Sequence, residues 1–179
     1  MSKYTASCAQ EAIERLSCRD PTLKYITLIS NPPTDLELGE LVDCLLAHPD
    51  VVEHVWLDGD RLTDMTGIKL AQYLTASSTI EWLSLSDNHF AEETWLAMAV
   101  ALCTNSSLQW LDLSDSQAVN QIRIDAAFVE ALRLNPDRPA KAKWWLYSSV
   151  KNDFKRLKHA ADTLGPPSML SQLRHCDRT

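Results

Sequence analysis

The sequence predicts an α/β fold in which a strand, a turn and a helix recur and stack as a right-handed, curved solenoid. One nine-residue pattern occurs four times at a spacing of 28 or 29 residues. Each copy is followed by apolar residues three and four positions apart, which is the spacing of one helix face. Because one such unit cannot bury its own apolar face, neighbouring units must stack. This places a short parallel sheet on the concave side and the helices on the convex side.

The strand pattern is the most regular part of each unit. Aliphatic residues occupy its first, fourth and sixth positions, and side chains alternate across a strand, so the fourth and sixth point into the core together. The ninth position holds Asn31, Asp60, Asn88 or Ser116, where an asparagine would satisfy backbone groups of the neighbouring turn. The four copies are Leu23 to Asn31, Val52 to Asp60, Ile80 to Asn88 and Leu108 to Ser116.

The second half of each unit predicts a helix of about three turns. The fourth helix is expected from Ala126 to Leu134, two residues late, because the segment from Gln117 to Ile124 lengthens the preceding turn. In the first three units the apolar residues with helical spacing are Leu38, Leu41 and Leu45; Gly67, Leu70, Ala71 and Leu74; and Phe90, Trp95, Met98, Ala99 and Leu102.

The repeated L-x-x-L-x-L-x-x-N pattern, followed by a full helix, resembles the ribonuclease-inhibitor type of leucine-rich repeat. The resemblance covers residues 22–135.

The repeats require a polar-faced cap at each end. Residues 1–21 are the predicted N-terminal cap, with a helix from Ser7 to Leu16 that starts in a Ser7-x-x-Gln10 capping box. Residues 22–149 hold the repeats, including a degenerate fifth strand in Ala142 to Tyr147 with Trp145 and Tyr147 pointing inward. Residues 150–179 form a C-terminal capping helix and a polar tail.

Composition and charge exclude several classes of protein. The 179 residues are 45% hydrophobic and 23% charged, as in an ordinary globular domain, and the net charge of −7 argues against nucleic acid as a partner. That charge is divided, because residues 1–135 carry −12 and residues 136–179 carry +5. No apolar run reaches the roughly 18 residues of a membrane span, and the N-terminus does not read as a signal peptide. Five cysteines without metal-like spacing favour a reducing, cytoplasmic location.

Catalytic and metal-binding motifs are not found in the sequence. The five histidines show no metal-ligand spacing, and there is no P-loop, nucleophile elbow or HExxH motif. We therefore expect no enzymatic activity, no cofactor and no metal. An enzyme of another type would need a reactive Cys176 or a His54 with a shifted pKa.

Outward-facing strand residues are the candidate partner-binding surface. An aromatic ladder is expected along the strands, since parallel strands lie about 4.8 Å apart, and tryptophan and tyrosine dominate binding hot spots. Neighbouring acidic residues, Asp115 among them, favour a protein partner with a basic or mixed surface. The candidate residues are Tyr25, His54, Trp56, Asp58, Trp82, Ser84, Trp110, Asp112 and Trp144.

Two other interpretations stay open for this surface and for the chain. The aromatic residues could stabilise the sheet laterally, or the basic C-terminal segment of the same chain could cover them. Alternatively, the chain is a regulatory scaffold, or an effector secreted by a bacterium into the host cytosol, that works through the basic helix after Pro139. In that case Lys151, Lys155, Arg156 and Lys158 would meet an acidic protein or an anionic membrane.

Overall fold

A computed structural model describes residues 3–28, 33–114, 121–135, 137–139 and 143–145. Within these ranges six short strands form one parallel sheet in chain order. Helices alternate with the strands, and each helix packs on the next one along the chain. The strands are β1 (Thr5–Ala6), β2 (Tyr25–Thr27), β3 (His54–Trp56), β4 (Trp82–Ser84), β5 (Trp110–Asp112) and β6 (Lys143–Trp145). The helices are α1 (Ala9–Ser17), α2 (Asp35–Ala47), α3 (Asp64–Ala76), α4 (Glu92–Leu102) and α5 (Gln121–Leu134).

The core lies between the sheet and the helices, as the aliphatic pattern predicts. The central residue of each of β2 to β5 is fully buried, and residues on either side of it are mostly only half-buried. The helix residues predicted from the three-and-four spacing are buried in the same cluster, including Trp95 and Phe90. The alternation along each strand therefore assigns one face of the sheet to the core, and all the described helices lie on that side. Those central strand residues are Ile26, Val55, Leu83 and Leu111.

Two helix starts differ from the sequence prediction. Helix α5 begins at Gln121, five residues before the predicted Ala126, so the apolar spacing from Ile124 onward belongs to a helix already formed. Helix α1 begins at Ala9, and the predicted capping box is wrong. Glu11, not Gln10, reaches back to the backbone N–H of Ser7 at 3.1 Å, while the amide of Gln10 donates to Glu14.

The turn after β4 is fixed by Asn88. Its Nδ2 donates to the carbonyls of Leu57 and Leu85 at 2.8 and 2.9 Å, and its Oδ1 accepts from the N–H of Leu62 at 2.9 Å. The side chain thus joins two successive turns, as the repeat predicts. Asp60 occupies the same position one unit earlier and has no N–H to donate. The other two residues at the ninth position of the pattern, Asn31 and Ser116, lie outside the described residues.

Two further asparagines, Asn105 and Asn135, connect successive units near the C-terminal ends of their helices. Asn105 donates from Nδ2 to the carbonyls of Leu74 and Ser77 at 2.8 and 3.0 Å. Asn135, thirty residues later, donates in the same way to the carbonyls of Leu102 and Asn105 at 2.8 and 2.6 Å. Each asparagine therefore satisfies carbonyls at or just after the end of the helix one unit earlier. The end of a helix leaves carbonyl groups without partners inside the helix.

The register of β6 differs by one residue from the sequence alignment. The repeat predicts Trp144 opposite Trp110, but strand pairing places Lys143 opposite Trp110 and Trp144 opposite Leu111. The long connection after α5 breaks the repeat, and consecutive Trp144 and Trp145 offer no polar alternation to fix the register. Residues 146–179, with the predicted C-terminal helix, lie outside the described residues. No helix in the described ranges is both long enough and apolar enough to cross a membrane.

Candidate protein-binding surface

Five ring side chains on the sheet face opposite the described helices form what we call the aromatic cluster. Three stack along the strand order, with ring centroids 6.1 Å apart for His54 and Trp82 and 4.3 Å apart for Trp82 and Trp110. All five are half-buried, so each ring keeps part of its surface open. The cluster consists of Tyr25, His54, Trp56, Trp82 and Trp110.

Trp56 makes this arrangement wider than a single row. Its ring centroid lies 6.4 Å from that of Tyr25, 5.4 Å from that of His54 and 6.0 Å from that of Trp82. Trp56 is the last residue of β3, whereas the three rings that it contacts come from the first residues of β2, β3 and β4. The rings therefore form one apolar platform that is wider than a single ladder.

Two polar atoms inside the cluster are buried without a hydrogen-bond partner among the described residues, namely His54 Nδ1 and Trp82 Nε1. Burial lowers the pKa of His54, and the negative charges of Glu81 and Glu53 only partly oppose that effect. His54 is therefore neutral near pH 7 and packs as a ring in the stack. An unpaired buried polar atom costs free energy in the folded state.

The two acidic residues predicted beside the aromatic residues are partly engaged inside the chain. Asp58 accepts at Oδ1 from Ser84 Oγ at 2.7 Å and from the N–H of Ser86 at 2.8 Å, which joins β3 to the next unit. Asp112 accepts at Oδ1 from the N–H and the Oγ of Ser114 at 2.9 and 2.6 Å. Ser84, one of the predicted contact residues, is buried and donates its hydroxyl to Asp58.

A cleft of about 360 Å³ opens at the end of β3 next to the aromatic cluster. Its described lining includes Trp56, Asp58 and Asp60, together with Thr27 and Leu28 of the preceding unit. Burial, and secondarily the charge of Asp58, raises the pKa of Asp60 to about 6. Asp60 makes no hydrogen bond or ion pair with another described residue. We call this feature the Asp60 cleft.

Charge around the aromatic cluster is predominantly negative. At the β2–β3 edge Lys24 Nζ lies 2.8 Å from Glu53 Oε1, which neutralises that pair. Glu81 is exposed in the next unit, and Asp58 is exposed on the other side of the rings. The surface therefore combines open aromatic area with carboxylates that have no cationic partner among the described residues.

Other sequence-based candidates are not brought to this surface by the described residues. Trp144 belongs to β6 at the register position of Leu111, and Asp115 and the basic C-terminal helix lie outside the described ranges. Cys8, Cys18, Cys44 and Cys103 are free thiols. Within the described part of the chain, no three His, Cys, Asp or Glu side chains are grouped to hold a metal ion.

Comparison with known proteins identifies related folds. No protein-family model matches the sequence, and no curated protein matches it. A structure of leiomodin-1 actin-binding site 2 is similar over 96% of this chain and 95% of its own, with 20% identity and a TM-score of 0.66. The C-terminal domain of tropomodulin from Caenorhabditis elegans is similar over 86% of this chain and 91% of its own, with 14% identity and a TM-score of 0.72. The chain shares the fold of these two domains.

The resemblance to the ribonuclease-inhibitor type is therefore wrong. The similar structures are a leiomodin and a tropomodulin domain, and each matches along nearly its whole length. The error has a physical source. The L-x-x-L-x-L-x-x-N pattern describes the local geometry of a strand and a turn, which unrelated repeat proteins share.

The sequence analysis missed the Asp60 cleft because it assigned Asp60 only to the ninth position of the repeat, where the side chain contacts the neighbouring turn. Strand alternation gave no signal for Asp60, because β3 ends at Trp56 and the chain turns at Asp58 and Gly59. The contribution of Leu28 to the lining of the cleft depends on how two units stack, so the sequence could not predict it.

Proposed function

We propose that this chain is a non-catalytic protein-binding module whose repeats form a right-handed solenoid, with the aromatic sheet face on its concave side. The aromatic cluster is the anchor for the partner, and the carboxylates beside it select a partner with a basic or mixed surface. The single observation that carries this proposal is the platform of five half-buried rings on the sheet face opposite the described helices.

The electrostatics of the cluster support binding over a purely structural role. Two carboxylates near the rings, those of Asp58 and Glu81, are exposed and have no cationic partner among the described residues. Carboxylates next to open rings also give a surface both apolar contact area and charge selectivity.

Actin is the first partner to test, because one structure with this fold is actin-binding site 2 of leiomodin-1. The cytosol is the proposed location, since the four cysteines within the described ranges are free thiols.

The test replaces both Trp82 and Trp110 by alanine and measures binding to actin, and to proteins captured from a cell lysate, with the circular dichroism spectrum as a check of folding. We expect at least a tenfold loss of affinity, because the double variant removes the closest stacked pair in the cluster. The matched control replaces Leu36 and Met65 by alanine. These are also large exposed apolar residues, at 72% and 77%, but they lie on helices α2 and α3. Unchanged affinity in a folded Trp82 and Trp110 double variant contradicts the proposal.

A further inference from the structure

The Asp60 cleft combines three features that together define a ligand chemistry. Its volume of about 360 Å³ lies within the range of about 300–1,000 Å³ found for small-ligand pockets. An indole, that of Trp56, forms part of its lining, and the carboxylates of Asp58 and Asp60 form another part. An indole face and carboxylates both attract cations, the first through its quadrupole and the second through charge.

Carboxylate oxygens in the cleft can still accept hydrogen bonds from a ligand. Asp58 uses Oδ1 for Ser84 and Ser86, and its Oδ2 has no hydrogen-bond partner among the described residues. Neither oxygen of Asp60 has such a partner. The negative charge of Asp58 adds to burial in raising the pKa of Asp60, and a cation bound between the two carboxylates would offset that repulsion.

The shape of the groups favours one kind of cation. A guanidinium is planar, stacks on an indole face and donates two parallel hydrogen bonds to a carboxylate, whereas an ammonium is a compact, strongly hydrated charge. Binding a guanidinium here would use the ring of Trp56 and the free carboxylate oxygens at the same time.

We infer that the Asp60 cleft is a subsite for an arginine side chain of the protein partner, with Trp56 stacking on the guanidinium and Asp58 and Asp60 accepting its hydrogen bonds. This inference rests on the proposed protein-binding function and assigns to it one specificity-determining contact. The cleft lies at the edge of the aromatic cluster, so an arginine placed there would sit beside the residues that anchor the partner.

The test uses three blocked tripeptides, acetyl-Gly-X-Gly-amide, in which X is arginine, citrulline or lysine. Citrulline keeps the planar shape and removes the charge, and lysine keeps the charge and removes the planar fork. Binding to the full chain is followed through the indole N–H signal of Trp56 in ¹H–¹⁵N spectra, assigned with Trp56→Phe. We expect the arginine peptide to shift this signal with a millimolar dissociation constant and the other two to bind at least fivefold more weakly.

The deciding variant is Asp58→Asn combined with Asp60→Asn, since the amide introduced by Asp58→Asn would retain an oxygen for Ser84 and Ser86. We expect at least a tenfold loss of affinity for the arginine peptide. The matched control, Glu93→Gln, removes one charge from an exposed position of α4 and should change the affinity by less than twofold.

Equal binding of the citrulline or lysine peptide, or an unshifted Trp56 signal, overturns the inference. The proposed function is judged separately, by the Trp82 and Trp110 double variant. If that variant loses its partner while the peptides fail to bind, the arginine subsite is wrong and the protein-binding function stands.

Discussion

Asp64, in the first turn of α3, caps the helix of the following unit. Its Oδ1 accepts from the N–H of Ala91 at 2.9 Å and from Thr94 Oγ1 at 2.5 Å, at the start of α4. The N-cap residue Ala91 has no side chain that could accept these bonds, so α4 depends on the neighbouring unit for its N-terminal cap. One carboxylate therefore couples the stability of two successive helices.

Asp64→Ala should lower the free energy of unfolding by about 1–2 kcal/mol, the usual loss when an N-cap acceptor is removed. Asp35 occupies the same position one unit earlier, is exposed and makes no such bond to the next unit, so Asp35→Ala should cost about 0.5 kcal/mol or less. Urea unfolding followed by circular dichroism measures both. Equal losses in the two variants would show that the bond to α4 adds nothing.

Alanine in place of Gly67 and alanine in place of Gly39 should change the stability of the protein in opposite directions. A Cβ at Gly67 would lie 2.5 Å from Thr94 Cγ2 and 2.9 Å from Phe90 Cε1, whereas a Cβ at Gly39 would have no atom within 4 Å. Gly67→Ala should therefore destabilise the protein by about 1–3 kcal/mol through overpacking between α3 and α4. Gly39→Ala should stabilise it by about 0.5–1 kcal/mol through helix propensity. Thermal unfolding of the two variants checks the signs, and stabilisation by both would disprove the close packing.

Asp60→Asn should stabilise the protein at pH 7.5, by on the order of 1 kcal/mol, because an amide can donate to turn carbonyls as Asn88 does. The folded state holds the proton of Asp60 more tightly than the unfolded state, since its pKa is raised from 3.8 to about 6. Wild-type stability from this group is thus fully present below pH 4 and is lost as the pH rises to about 6.

The advantage of Asp60→Asn should accordingly shrink as the pH falls from 6 to 4, which urea titrations at several pH values would reveal. Asn88→Asp is the reciprocal control and should destabilise the protein, because it removes the donor to Leu57 and Leu85. A pH-independent difference for Asp60→Asn would contradict the raised pKa.

His54 should give a pH dependence of the opposite sign. Its pKa is lowered in the folded state, so protonation favours the unfolded chain, and stability falls as the pH drops through 6.5 toward the folded pKa. His54→Phe keeps a ring in the stack, removes the unpaired Nδ1 and should abolish this acid-side loss. Unfolding midpoints between pH 7.5 and 5 test the change, with His89→Phe at an exposed position as the control. If the unfolding midpoints of the wild type and of His54→Phe fall equally as the pH is lowered, the lowered pKa of His54 is contradicted.

The periodic parts of the molecule were predictable because each position depends on its own unit. Aliphatic residues at the fourth position define β2 to β5, and residues such as Leu41, Leu70 and Met98 define the helix faces that bury them. Alternation along the strands also placed Tyr25, His54, Trp82 and Trp110 on one face. The prediction failed where the period failed, at the start of α5 and in the register of β6.

The sequence by itself determined the strand–turn–helix repeat and the outward aromatic residues, because alternation and helical spacing are local consequences of backbone geometry. Tertiary structure decided how the units meet: Trp56 leaning on three rings, Asp64 capping α4, Asn105 and Asn135 bonding the ends of preceding helices, and Asp60 lining a cleft with Leu28. Apart from the contact between Trp56 and His54, each of these contacts joins residues about thirty positions apart. Their geometry depends on the offset between stacked units, which no local pattern encodes.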